Sequence, residues 1–421
     1  MESKYAEISR QLGKYKNVQG LMKYINKESL KEEHDMQSSN KAVGVDKTTK
    51  GEYGYELDKN LEKLISEMKK FAYKPKAVRR TYIPKSNGEL RPLGIPAYED
   101  KLVQGVMSKI LNEIYEPIFL NNSYGFRRNR DCHMAIKVLD DKIMRGRTNF
   151  IVDADIKGFF DNVNHEWLIK FLEHKIKDQD FIRYIKRFLK AGIIEDMKYY
   201  ESEKGTPQGG LISPVLANVY LHYVLDLWFE LYIKVKCNGK AHLIRYADDF
   251  VACFEKEEEA EMYFEELKER LAKFNLSIEE SKSKIIPFGG NANSKETFDF
   301  LGFTHYNGKT RNGYYKCGHR TSMKKSKLKV ENMRKYIRKY IHQKVADLID
   351  GINRKLRGLF NYYGISDNMS WMRKFAWITR KELYRSLKHK SQRSRMNGIK
   401  MDMILKYKPL LEPRITHSLW Q

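Results

Sequence analysis

Two apolar runs about ninety residues apart each carry acid at one end, FIVDADIKGFF from Phe150 and HLIRYADDFVACF from His242. Side chains alternate along a strand, so Asp153 and Asp155 share a face. Ala247-Asp248-Asp249, with hydrophobic residues on either side, reads as a hairpin turn bearing adjacent carboxylates. Strand ends so far apart in sequence converge only as neighbours in one sheet. Helical stretches at 166–189, 213–234 and 257–274 lie between and after them. An α+β fold follows, with helices covering an antiparallel sheet. Convergent carboxylates without companion His or Cys suit Mg²⁺, a hard cation that shares its coordination with substrate phosphates. A pair of such ions clamps the attacking and leaving oxygens of phosphoryl transfer. Taken singly, an Asp-Asp turn is also ordinary turn chemistry.

The rest of the chain frames this centre. Leu57, Leu61, Leu64, Ile65 and Met68 recur at helical spacing, after a loop QSSNKAVGVDKTTKGEYG. RRTYIPK, SNGE and LRPLGIP form a hairpin pattern with Asn87-Gly88 at its tip, followed by a helix over 98–115. Beyond Tyr306 the strand pattern ends. Ile337, Ile341, Val345, Leu348, Ile352, Leu356 and Leu359 then keep helical spacing with Arg and Lys on other faces, which predicts a basic, all-helical region. Tyr336, Tyr340, Tyr362 and Tyr363 fit its core or, alternatively, stack on bases.

Charge identifies the partner class. The chain carries 79 basic and 54 acidic residues, +25, and Arg311 to Gln421 holds 28 basic against 7 acidic, +21 of that excess. A positive field concentrated at one end is what a polyanion requires, and nucleic acid is the expected partner. No stretch is apolar for eighteen residues, which predicts no membrane span. The polar start MESKYAEISRQLGKYK lacks a signal-peptide core, so a cytoplasmic place (bacterial cytoplasm or nucleoid) is expected. Cys132, Cys237, Cys253 and Cys317 form no CxxC pair, so reduced thiols are expected rather than a disulfide framework or a zinc ribbon.

The wording around the acidic ends resembles reverse transcriptases, and most closely the group II intron-encoded kind. RRTYIPKSNGELRPLGIP and SYGFRRNRDCHMAI look like the two fingers blocks, and FIVDADIKGFFDNVNH like the first catalytic block. GTPQGGLISPVLANVYL, RYADDFVACF, LSIEESKSKI and FLGF follow in the family's order, with GVD at Gly44 to Asp46 resembling its N-terminal extension. GINRKLRGLFNYYG is similar to the thumb, or maturase, segment. Relatives often continue into an HNH endonuclease with paired cysteines; this chain is expected to lack it.

The resemblance implies a right-hand polymerase with fingers and an antiparallel palm sheet, followed by an all-helical basic thumb. Its parts would be an N-terminal extension and start of fingers at 1–75, fingers and palm at 76–306, thumb or maturase at 307–387 and a short basic segment at 388–421. It implies Asp155, Asp248 and Asp249 as ligands of Mg²⁺, with Mn²⁺ as a substitute, and Asp153 as the alternative to Asp155. Lys282 would be the general acid. Lys85 and Arg91 would grasp the triphosphate, Gln208 would line the nucleotide pocket, and Phe160 would exclude a 2′-hydroxyl unless Phe159 is the gate. Arg127, Arg128, Arg130, Lys324, Lys325, Lys327, Lys329 and Arg334 would bind nucleic acid. The implied partners are an RNA template, a DNA or RNA primer, deoxynucleoside triphosphates and intron RNA, acting on a monomer or dimer. The expected activity is RNA-directed DNA synthesis, with intron RNA binding that assists splicing and mobility. Two alternatives stay open: a domesticated relative in phage defence or DNA repair, and a noncatalytic RNA-binding splicing factor.

Overall fold

The computed structural model describes residues 5–84, 90–195, 198–201, 203–206, 209–390 and 396–419. It divides into two compact units, residues 1–135 with 151–285, and residues 136–150 with 286–421. Strands run β1 Val78–Pro84, β2 Leu90–Ile95, β3 Phe150–Ala154, β4 Ile193–Glu195, β5 Lys198–Tyr200, β6 Ala241–Tyr246, β7 Asp249–Phe254, β8 Lys284–Pro287, β9 Thr297–Phe300, β10 Phe303–Lys309 and β11 Tyr315–Thr321. The architecture is mixed, with antiparallel pairing predominant and a helical C-terminal region.

In the first unit one sheet has the order β2-β1-β4-β5. The expected hairpin is present, antiparallel from Arg79↔Ile95 to Pro84↔Leu90. β4 adds parallel to β1, and β5 folds back on β4. This short pair interrupts what the sequence presents as connecting chain, because three residues are too few to show a period. The other sheet has the order β6-β7-β3-β8 and brings the two acidic runs together as neighbours. Helix Tyr98–Tyr115 has the expected bounds, and Leu102, Val103, Val106, Met107, Ile110, Leu111 and Ile114 are wholly buried.

Three helical expectations need correction. The stretch 166–189 is two helices, His165–Lys175 and Gln179–Leu189, because Asp178 caps the second by accepting the Phe181 N–H. Its other carboxylate oxygen accepts the Leu21 N–H at 2.5 Å. The stretch 213–234 is α-helical over Ser213–Leu221, then widens to π geometry at His222–Asp226 and Phe229–Ile233. The loop before Leu57 already contains helix Lys50–Tyr55, started by a capping box between Thr49 and Glu52.

In the second unit the strands do not cease at Tyr306, which corrects the all-helical reading. β10 continues to Lys309 and β11 pairs with it from Phe303↔Thr321 to Lys309↔Tyr315. The inward set on β11 is Cys317, His319 and Thr321, with Gly318 and Arg320 between them. A polar inward face leaves no apolar alternation to read. Helices Met323–Tyr340, Val345–Tyr363, Met369–Lys388 and Gly398–Tyr407 follow. Ile337, Ile341, Leu348, Ile352, Leu356 and Leu359 are buried together as the spacing predicted. Tyr363 is buried in that core and Tyr336, Tyr340 and Tyr362 pack against it. Among the described residues no helix is long and apolar enough to cross a membrane.

Candidate active site

Asp155 is the first residue beyond β3, and the segment 277–283 grips its backbone on both sides. The Asp155 N–H donates to Ser283 Oγ at 3.1 Å, and its carbonyl accepts the Glu279 N–H at 2.7 Å. The next ladder contact, Lys157 N–H to the Ser277 carbonyl, is 2.9 Å long. This clamp presents Lys282 to the carboxylate, with Nζ 3.4 Å from Asp155 Oδ2. The pair is well solvated, so its contribution is geometric more than energetic.

The second acidic end is a two-residue hairpin turn, with Tyr246 paired to Asp249 and Ala247-Asp248 between them. Ala247 has φ +58°, the left-handed region that glycine usually fills in such turns. A buried polar network holds it there. Arg245, fully buried, donates to both oxygens of buried Asp226 at 2.7 and 2.5 Å, to Asn218 Oδ1 at 2.9 Å and to the Ala247 carbonyl at 2.9 Å. Asn218 in turn donates to the Gly125 carbonyl at 2.7 Å. A Cβ on Gly125 would come within 2.3 Å of the Ala247 nitrogen, so only glycine fits beside this turn. Nothing in the sequence pattern marks Arg245, Asp226, Asn218 or Ser283 as support for the site. Their signal is chemical: an arginine and an acid inside otherwise apolar runs, which burial permits only as a pair.

The two ends converge electrostatically. Burial pushes the Asp248 carboxyl above its ordinary range, the charge of Asp155 adds to the rise, and Arg91 and Arg245 oppose it. Asp155, Asp248, Arg91 and Lys282 therefore share one locale. A half-buried carboxylate facing a second one is relieved by a cation, and this donor set is all oxygen. Asp249 is exposed at the start of β7, and Asp153 is half-buried on β3.

Phe159 and Phe160 do not lie on a strand, which corrects the expected strand placement. Gly158, at φ +52°, ends the extended run and starts a helical turn, Phe159–Asn162. Phe159 is 2% exposed with its ring 6.3 Å from that of Tyr220, whereas Phe160 is half-buried. The Gly205–Thr206 segment binds this turn, with Thr206 N–H on the Phe160 carbonyl at 2.8 Å and Gly205 N–H on the Val163 carbonyl at 2.8 Å. Gly209, at φ +112°, passes so close to β2 that a Cβ would lie 2.7 Å from the Gly94 carbonyl oxygen. Lys85 and Gln208 lie outside the described residues.

The basic candidates divide. Arg127 is buried and donates to the Glu116 carboxylate and to the carbonyls of Leu120 and Ser123. It braces a loop and is not available to a nucleic acid, which corrects that expectation. Arg128 is exposed beside Glu113, and Arg130 bonds Asn121 and Ser123 with its guanidinium over the Tyr124 ring. Lys324, Lys327 and Lys329 are exposed and Lys325 is half-buried, all on helix Met323–Tyr340. Arg334 of the same helix turns toward Glu382, 3.6 Å away, where Arg338 joins it at 3.2 Å.

Residues 83–305 match the reverse transcriptase (RNA-dependent DNA polymerase) family model. Residues 323–404 match the group II intron maturase-specific domain. The chain is 30% identical over 422 residues to the group II intron-encoded protein LtrA of Lactococcus lactis subsp. cremoris, covering 80% of this chain and 69% of that protein. It is 37% identical over 208 residues to protein YkfC of Escherichia coli, covering 48% of this chain and 53% of YkfC. A 91 kDa protein in the cob intron of Schizosaccharomyces pombe is 42% identical over 170 residues, 40% of this chain and 21% of its own length. The chain belongs to the family of group II intron-encoded reverse transcriptases and maturases.

Proposed function

We propose that the chain is an RNA-directed DNA polymerase that copies RNA into cDNA from an annealed primer, and that it also binds intron RNA to assist splicing and mobility. The observation that carries this reading is that the strands bearing Asp155 and Asp248 are neighbours in one sheet, with Lys282 3.4 Å from Asp155 and the charges of Asp155 and Arg91 both acting on Asp248. In this reading residues 76–306 are fingers and palm, 307–387 the thumb or maturase region, 1–75 the N-terminal extension and 388–421 a short basic segment. Asp155, Asp248 and Asp249 hold Mg²⁺, or Mn²⁺ in its place. When bound, the ions stabilise the attacking and leaving oxygens of nucleotidyl transfer. Lys282 gives a proton to the departing pyrophosphate. Arg91 and, from the family wording, Lys85 hold the triphosphate as planar fork and point charge. Phe160 lies beneath the sugar, and Gln208 bonds the nucleotide without adding charge. The lysines of helix Met323–Tyr340 bind phosphates of primer-template and intron RNA.

Primer extension on an RNA template with deoxynucleoside triphosphates and Mg²⁺ tests it. Asp248→Asn is expected to lose activity by orders of magnitude with RNA affinity nearly intact, since one cation ligand is removed and no basic residue changes. Equal activity in Asp248→Asn and wild type would overturn the site.

A further inference from the structure

A second cluster of ligand-type side chains lies in the other unit, where the sequence shows no paired-cysteine module. The antiparallel register sets His305 of β10 directly opposite His319 of β11, and Cys317 is two residues before His319 on the same face. All three are fully buried, and one donor atom from each lies within 4.8 Å of the others. Cys317 Sγ is 3.9 Å from His305 Nδ1 and 4.0 Å from His319 Nε2. A fourth candidate lies beside the trio: buried Asp140, on helix Cys132–Arg145, places Oδ1 3.2 Å from His319 Nε2, outside the mutual 4.8 Å of the other three.

Tetrahedral zinc with bonds of about 2.0 Å to nitrogen or oxygen and about 2.3 Å to sulfur separates its ligand atoms by roughly 3.3 Å (N to O) and 3.6 Å (N to S). The two Cys–His separations therefore need only a few tenths of an ångström of closure, and the Asp140 carboxylate must swing further in. The competing explanation is a hydrogen-bonded polar core, but such a core pairs its polar atoms. Here Asp140 Oδ1 is buried and lies 3.2 Å from His319 Nε2, yet in a geometry that makes no hydrogen bond. His305 is fixed by stacking on Phe298, rings 4.7 Å apart and 6° from parallel, and His319 meets it edge-on at 4.8 Å.

We propose that His305, Cys317, His319 and Asp140 bind one structural zinc ion, tying the β10–β11 pair to helix Cys132–Arg145. Four protein ligands leave no open position, which suits a structural rather than a catalytic centre. Binding releases the Cys317 thiol proton to solvent and changes no oxidation state. The inference is independent of the polymerase reading.

The full chain, purified from zinc-supplemented culture and passed over a desalting column, is expected to carry about one zinc per molecule by atomic emission. Cys317→Ser and His319→Gln are expected to lose it, and a strong chelator is expected to lower the melting temperature of wild type but not of Cys317→Ser. Because those variants can fail to fold, wild type stripped of metal and reloaded with Co²⁺ gives a separate readout. Thiolate-to-cobalt absorption with tetrahedral visible bands is expected. Folded wild type that holds no stoichiometric zinc, or takes up Co²⁺ without the thiolate band, overturns the proposal. So does zinc retained in full by Cys317→Ser.

Discussion

Phe159 and Phe160 are adjacent in sequence and differ in what surrounds them, and the difference arises from a single glycine. Gly158 turns the chain into a helical turn, so the two rings diverge by about 100° rather than facing opposite sides of a strand. Phe159→Ala removes a ring buried beside Tyr220 and is expected to cost roughly 3 to 5 kcal/mol of stability. Phe160→Ala is expected to cost less and to raise ribonucleotide incorporation relative to deoxyribonucleotide. Melting curves with a two-sugar incorporation assay check both; the reverse pattern would make Phe159 the gate. At this scale the acids were legible because each interrupts an apolar run, whereas Ser283 and Asn218 were not. A hydroxyl or amide that bonds backbone from more than ninety residues away leaves no local pattern. Arg127 misled for the related reason that an arginine in a basic cluster looks the same whether it faces solvent or braces a loop.

Among the elements, those with long periods were read well and those with short or polar faces were not. Helix Tyr98–Tyr115 has the expected bounds and helix Glu257–Ala272 ends two residues before the expected Phe274, while β4, β5 and β11 were missed. The helix through 213–236 was legible as a helix but not as one with two π turns, since an added residue per turn changes no residue type. One of those turns opens with His222, buried 99% and with Nδ1 lacking a hydrogen-bond partner. Burial pulls its pKa down to about 4, Asp226 opposing and Arg245 reinforcing. An unfolded histidine titrates near 6.5, so above that pH the residue is neutral in both states and costs nothing. Between about 6.5 and 4 the unfolded chain binds a proton that the native state refuses, and stability falls as pH falls, by up to about 3 kcal/mol. His222→Gln is expected to flatten the decline between pH 7 and pH 5 in urea unfolding. An unchanged slope would show that other groups cause it.

At the scale of the whole molecule the charge asymmetry predicts how binding responds to salt. The excess of +21 after Arg311 includes Lys324, Lys325, Lys327 and Lys329 in consecutive turns of one helix. If each meets a phosphate, replacing all four by Ala is expected to weaken RNA binding at every sequence tested. It should also make the slope of log affinity against log salt shallower by about 3. Fluorescence anisotropy over a salt series measures this, and an unchanged slope would place the contacts elsewhere. This asymmetry was legible from composition alone; which basic residues are engaged within the protein was not, and Arg334 is engaged with Glu382 on a neighbouring helix.

The contacts that fix the Ala247 turn also have a consequence for self-association. β6 is the outermost strand of its sheet, and its free side at Arg245 is taken by residues 122–124. The Arg245 N–H donates to the Asn122 carbonyl and the Tyr124 N–H to the Arg245 carbonyl, both at 2.8 Å. Exposed strand edges recruit other chains into intermolecular sheet. Here the edge nearest the acidic turn is already occupied by the protein's own backbone, so the loop that positions the turn also guards it against edge-to-edge aggregation.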